Sequence, residues 1–280
     1  MISDPILPDF ESVKRFKLEK APLELVICQI RFTGVMTLEP SDVIPFQKAI
    51  KKQYPINTKG QELDMEFLAG GTQSQFTQRN VTPIYNFADT SDVWKITLTQ
   101  DYIALETRKY NKFTEFLNRL RFVLDALIDH IQPTFGTRIG LRYIDEIRFE
   151  SAKWSEVIQP EILGVAAVPK LMNKAVNTQV VQVLSLTLPQ KRGINIQHGI
   201  FPTGTTVRPL KQDKPKTESF YLLDFDVFQE YGSPDFLVMD PEIISENVTR
   251  FHEAIDQMFL WAVNPDYLTK LGIEYDNNTI

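Results

Sequence analysis

The chain has a single cysteine, only three histidines, no surplus of positive charge and no apolar run long enough to cross a bilayer. One cysteine, Cys28, excludes an internal disulfide and suits a reducing compartment. The formal net charge of -6 weighs against a protein whose main task is gripping nucleic-acid phosphate. The longest apolar stretches, Leu23 to Ile27 and Val180 to Leu188, contain polar residues and fall far short of the roughly 20 residues a membrane span requires. Met1-Ile2-Ser3-Asp4-Pro5 puts acid and proline where a secretory signal carries a basic start and an apolar segment. A cytoplasmic protein without membrane attachment is the expectation. Chemistry-bearing patterns are equally sparse. His130, His198 and His252 have no second His or Cys at i+3 or i+4 to form a helix-borne ligand pair, so neither a metal nor a cofactor is expected. His130 and His252 are expected at solvent-facing or interfacial helix positions. Gly70-Gly71 lacks the strand-turn-helix setting and the following Lys-Ser/Thr of a phosphate loop. Asp224-Phe225-Asp226 offers an acid pair with no further carboxylates placed beside it by sequence, which is weak support for a cation.

With 280 residues, 43% of them hydrophobic and 24% charged, the chain can bury one large core or two small ones. The segment to about Lys20 mixes Pro5, Pro8 and charges without periodicity and reads as an arm. From Pro22 to Phe32 the residues are rich in strand formers, with Val26, Cys28, Ile30 and Phe32 on one face. There Cys28 packs as a small hydrophobe with no basic neighbour to activate it. Pro40-Ser41-Asp42 then supplies helix-capping side chains, and Val43, Phe46, Ile50 and Tyr54 follow at helical spacing, predicting a helix from about Ser41 to Gln53. Residues 57–81 mix apolar positions with Gly70-Gly71 and give no firm assignment. Short strands at Ile84 to Ala88, Val93 to Thr99 and Tyr102 to Arg108 are separated by turn residues. Phe113, Phe116, Leu117, Leu120, Val123, Leu124, Leu127, Ile128 and Ile131 draw one stripe along a long helix that ends before Pro133.

The second half returns to the same order. Gln29-Ile30-Arg31-Phe32 reappears as Glu146-Ile147-Arg148-Phe149 at the end of a half-buried strand, Arg138 to Glu150. A short helix over Trp154 to Leu163 follows. Strands at Asn177 to Leu188, Gly193 to Phe201 and Ser219 to Phe228 precede a helix from Pro241 to Val263. The reading is a tandem duplication of a strand, helix, three strands, helix unit. It is an α+β fold of mostly antiparallel sheet with helices on one face, made of an arm over 1–20, a first repeat over 21–133 and a second over 134–280. The stretch Pro202 to Glu218, carrying Arg208, Lys211, Lys214 and Lys216, interrupts the symmetry as a long loop.

At Ala21-Pro22-Leu23-Glu24-Leu25-Val26 leading into Gln29-Ile30-Arg31-Phe32, at Leu105-Glu106-Thr107 followed by Tyr110, Phe113 and Phe116, and at Arg138-Ile139-Gly140-Leu141-Arg142-Tyr143-Ile144-Asp145, the chain resembles a family of sporadically distributed prokaryotic proteins with no assigned function. The usual family pattern continues with Asn where this chain has Asp145. Sporadic distribution implies horizontally transferred genes of the kind that serve toxin-antitoxin or phage-defence systems. The resemblance implies no catalytic residues.

Two surface features remain. Arg138, Arg142, Glu146 and Arg148 alternate onto one strand face, Asp224 and Asp226 share a face of the last long strand, and Glu106 and Arg108 share one in the first half. Cross-strand ion pairs on the face that the helices leave uncovered are one reading. Display of guanidinium groups to an acidic protein surface or a small anionic ligand is the other, because planar forks bind carboxylate and phosphate bidentately. Aromatic residues such as Trp94, Tyr102, Tyr143, Phe220 and Tyr221 lie in or beside strands, where core packing competes with base stacking. A non-enzymatic interaction protein is the expectation, recognising a protein partner through the open sheet face (Arg138, Arg142, Glu146, Arg148, Asp224, Asp226) or the loop bearing Arg208 and Lys211. The alternatives are a small-ligand binder or enzyme with a cavity between sheet and long helix, and a nucleic-acid-binding module. Self-association stays open.

Overall fold

The two long amphipathic stripes and the β-rich runs between them form the elements their periods dictate, in a computed structural model that describes residues 6–7, 15–34, 38–68, 75–149, 153–172, 177–186, 191–205 and 218–275. In chain order these are β1 (Phe16–Leu18), β2 (Leu23–Phe32), α1 (Pro40–Ile50), β3 (Ile56–Leu68), β4 (Gln75–Ala88), β5 (Trp94–Leu98), β6 (Tyr102–Thr107), α2 (Phe113–His130) and β7 (Gly136–Arg148). They continue as α3 (Pro160–Leu163), α4 (Pro169–Met172), β8 (Val180–Leu186), β9 (Lys191–Phe201), β10 (Phe220–Glu230), α5 (Pro241–Ala262), α6 (Pro265–Lys270) and β11 (Ile273–Tyr275). Two 3₁₀ turns, Trp154–Glu156 and Gly164–Ala167, flank α3. Mixed α+β structure with mainly antiparallel pairing is therefore the observed class.

The chain divides into two compact units. The first holds Met1–Val26, Gly140–Gln229 and Glu246–Ile280, and the second holds Ile27–Ile139 and Glu230–Ser245. Strands β2 and β7 each contribute to both. Near the ends of this antiparallel pair, the Glu146 N–H donates to the Pro22 carbonyl at 2.9 Å in the first unit and the Thr33 N–H to the Phe135 carbonyl at 2.8 Å in the second.

In the second unit the strand order is β3-β4-β5-β6-β2. The region left unassigned by sequence is a long hairpin, β3 with β4, running from Ile56 opposite Ala88 to Leu68 opposite Gln75. Four strands, rather than three, therefore stand between the two helices of the first half. Tight turns close the next hairpins. The Asp89 carboxylate accepts from the N–H groups of Val93 and Trp94 at 2.9 and 3.2 Å, and the Thr99 hydroxyl accepts from the Tyr102 N–H at 3.1 Å. Helix α1 starts at a proline, which needs no partner for its missing N–H, and the Asp42 carboxylate accepts from the Glu39 N–H at 2.9 Å. The stripe on α2 buries Phe116, Leu120, Val123, Leu124 and Leu127. Each such side chain contributes about 1.5–3 kcal/mol by leaving water. Phe46 meets Phe87 edge-on at 5.5 Å, and Trp94 lies 5.8 Å from Phe116.

In the first unit the order is β2-β7-β10-β9-β8. Helix α5 buries Val248, Phe251, Ile255, Met258 and Phe259, and Asn264 caps α6 by accepting from the Asp266 N–H at 3.0 Å. Strand β1 pairs with β11, and the Phe16 ring stacks on Phe259 at 6.4 Å. The expected half-buried character of β7 is corrected: Leu141, Ile144, Asp145, Glu146 and Ile147 are all buried, and on its first-unit length only Arg142 and Arg148 stay part-exposed, both on the even-numbered face. A strand with paired neighbours on each side has no solvent-facing edge, and alternation in its sequence then reports chemistry rather than exposure.

Gly199 sits in β9 at φ 151°, where a Cβ would lie 1.9 Å from the Thr178 carbonyl oxygen. Gly164, at φ 51°, has open space around the same position. Gly199→Ala is expected to destabilise the protein by about 3 kcal/mol, and Gly164→Ala by about 1 kcal/mol, because only the first adds a backbone clash to the cost of a positive φ. Urea denaturation of the two variants side by side checks the difference.

Candidate functional site

Five of the predicted side chains come together in the first unit. On the even-numbered face of β7 and β10, Arg142 lays its fork on Asp224, with Nε donating to Oδ1 at 2.8 Å and Nη2 to Oδ2 at 2.6 Å. Two residues along β7 from Glu146, Arg148 donates from Nη2 to the Glu146 carboxylate at 2.8 Å and lies 5.4 Å from the centre of the Phe220 ring. The Asp226 carboxylate accepts from the Asn195 side chain at 3.2 Å on the same face. Arg138 lies in the second unit and is half-buried there. Arg208 and Lys211 fall outside the described residues.

Burial is unequal within each pair. The Asp224 side chain is 3% exposed and that of Arg142 31%; Glu146 is likewise buried beneath a part-exposed Arg148. Carboxylates therefore form the floor, and guanidinium edges reach water above them. The Asp224 hydrogen bonds hold the Arg142 guanidinium even more firmly protonated than usual. Burial pushes the Asp224 carboxyl up while Arg142 pulls it down, and the two short bonds mark it as the ionised partner. Cross-strand pairing and guanidinium display, the two readings of this face, thus describe opposite edges of the same groups.

The odd-numbered face of β7 carries a second polar group that the sequence reading passed over. Tyr143 places its hydroxyl 3.1 Å from His252 Nδ1 on α5, and Asp256, one turn on, has Oδ1 3.5 Å from the same nitrogen. His252 is packed against Tyr143, its ring 5.9 Å away, and so occupies the interfacial one of its two expected positions. Burial, with Arg15 adding to it, pushes His252 down to about 3. Burial and the Glu253 charge push Asp256 up to about 8. Asp145, on the same face as Tyr143, is raised well above the carboxylate range by burial and by the charges of Asp224, Asp256 and Glu24. Asp256 thus keeps its proton at neutral pH while His252 is neutral, and burial biases Asp145 in the same direction as Asp256. The signal for this cluster was an acid placed in phase with Leu141 and Tyr143, and a carboxylate one helical turn after a histidine.

His198 is buried, with Nδ1 2.9 Å from the Tyr221 hydroxyl, and His130 is exposed near the end of α2. Cys28 is fully buried. In the second unit a hollow of about 410 Å³ is lined by Gln53, Thr114, Glu115, Asn118 and Arg119, none of them a predicted site residue. Its one cation, Arg119, lies 4.4 Å over the Trp94 ring and 3.4 Å from Glu115. No protein-family model and no curated protein matches this chain.

Arg142→Ala strands a buried carboxylate. The expected loss is about 2–3 kcal/mol, on the low side of a fully buried pair because part of the guanidinium is already in water, and the urea midpoint measures it. The protonated acids set a pH dependence. In the unfolded chain Asp145 and Asp256 ionise near pH 4, so above that pH the fold binds more protons and stability falls as pH rises. His252 acts oppositely, raising stability with pH between about 3 and about 6.5. Above about 6.5 only the acids remain, and stability falls towards about pH 8. The melting temperature of the wild type is expected to decline across that upper window and that of Asp256→Asn to stay flatter, as read by calorimetry.

Proposed function

We propose that this chain is a non-enzymatic interaction protein that recognises a protein partner through the open face of the first unit's sheet. The carrying observation is that the Arg142 and Arg148 guanidinium groups are partly exposed while each is fixed from beneath by a buried carboxylate. A guanidinium so held loses little rotamer freedom when a partner arrives, and arginine is among the residues that dominate binding energy at interfaces. Val181 and Val183 stand opposite Gln197 and Asn195 and so share this face, adding apolar contact to amide and guanidinium groups. An acidic or amide-rich protein surface fits that mixture.

Occupation of the Arg142 fork by Asp224 weakens the reading of the face as a small-anion site, since both nitrogens facing the carboxylate are already satisfied. The acidic balance of the chain weakens nucleic-acid binding. Duplication of an ancestral unit, one copy over 21–133 and the other over 134–280, is supported by matched orders: from β2 the neighbours are β6, β5 and β4, and from β7 they are β10, β9 and β8. Residence in the cytoplasm accords with the lone buried thiol, and among the described residues no helix is long and apolar enough to cross a membrane. The family resemblance supports a setting among mobile defence or toxin-antitoxin genes, for which the neighbouring genes are the direct test.

Arg142→Gln retains a hydrogen-bonding group above Asp224 and separates recognition from stability. Under the proposal, a partner co-purified with the tagged wild type from its own cell is lost from this variant while its melting temperature moves by only a few degrees. A large fall in melting temperature with undiminished capture of the partner would reject the recognition role.

A further inference from the structure

Strand β8, Val180-Val181-Gln182-Val183-Leu184-Ser185-Leu186, ends the strand order and pairs on one side only, with β9. Among the described residues its outer row of N–H and C=O groups has no partner. Its side chains are unusual for such a position. Val181 and Val183 are 68% and 64% exposed on one face, and Leu184 is exposed on the other. Exposed edge strands are ordinarily protected by lysine, proline, a bulge or brevity. This one has seven residues, no charge, no proline and an unbroken register with β9. Of the thirteen large hydrophobic side chains exposed among the described residues, six lie between Val165 and Leu184. Exposed apolar surface concentrated in so short a stretch marks an interface.

We infer that the chain forms a twofold dimer in which β8 pairs antiparallel with β8 of a second copy, centred on Val183. The register follows from the strand itself. With Val183 opposite its own copy, Val181 faces Ser185, Gln182 faces Leu184 and all seven residues are paired. No charge opposes a like charge, and the central contact is a cross-strand pair of β-branched residues, which is favourable. A foreign strand would need a feature to select it, and an uncharged edge offers no electrostatic selector. A second copy meets the same edge with matched length and matched chemistry. The twofold axis of such a pair stands perpendicular to the sheet, so both copies present Asn195, Asp226 and the Arg142 fork on the same side. Recognition by the sheet face does not require this pairing and survives its failure.

Strand pairing alone buries less than the roughly 1,200–2,000 Å² of a stable interface, so the dimer is expected to dissociate on dilution. Sedimentation velocity of the full chain over a wide concentration range measures this. Val183→Lys, which sets two ammonium groups against each other, is expected to weaken dimerisation about tenfold or more with unchanged circular dichroism. Because Cys28 is buried, an introduced thiol reports the register. Val183→Cys treated with diamide should give a disulfide-linked dimer, as two thiols surrender their hydrogens to the reagent. Val181→Cys should link poorly with itself and well when mixed with Ser185→Cys. A wild type that stays monomeric throughout, a Val183→Lys dimer as tight as the wild type, or equal self-linking by Val181→Cys and Val183→Cys would each overturn the inference.

Discussion

Burial of most of β7, with only Arg142 and Arg148 part-exposed on its first-unit length, is the constraint from which the first unit's chemistry follows. The strand carries Arg142, Asp145, Glu146 and Arg148 into the middle of a sheet, where an uncompensated charge costs several kcal/mol. Each polar group is therefore answered locally. Asp224 on β10 meets Arg142, and Arg148 meets Glu146 from two residues along the same strand. For Asp145 burial instead favours the protonated form. Opposite faces of one strand thus hold charge in two ways: as ion pairs whose cation reaches water, and as neutral acids and a neutral imidazole on the side covered by α5.

That division separates the two polar groups in their access to water. Tyr143, His252 and Asp256 have the residue types of an acid-base site, but they lie packed between strand and helix. General acid-base chemistry needs a substrate within hydrogen-bond reach of the group that moves the proton. The even-numbered face, with guanidinium edges in water, is the one that a partner can touch. Under the proposed function, energy of recognition would come from pre-set geometry, because the floor carboxylates already fix the rotamers that binding would otherwise have to order.

Much of the architecture was legible before the fold was known. The nine-position stripe from Phe113 to Ile131 gave α2 to within two residues, and the alternation of Val26, Cys28, Ile30 and Phe32 gave β2, because each period is imposed by the element's own geometry. The 57–81 region was harder. Leu63, Met65 and Phe67 alternate with Glu62, Asp64 and Glu66, which is a strand signal, but Gly70-Gly71 and the glutamine-rich run beside it read as open loop. Pairing with β4, which joins residues as far apart as Ile56 and Ala88, is a non-local fact that local composition does not carry. Among the site residues, cross-strand ion pairs were one reading of the face that holds Arg142 and Asp224, whereas the Tyr143–His252–Asp256 group was missed because Tyr143 lies 109 residues before His252 and no local pattern links the strand to the helix.

Spacing along one chain was enough to give the long helices, most of the long strands, their apolar faces and the alternation of arginines and acids on β7, since each of these is a local property. The interior place of β7 in its sheet, the seating of the Arg142 fork on Asp224 rather than in water, and the upward shifts of Asp145 and Asp256 became visible with the fold. Desolvation is the physical reason: the energy of a charged side chain is set by what surrounds it, and for β7 those surroundings are supplied by β10 and α5, from distant parts of the chain.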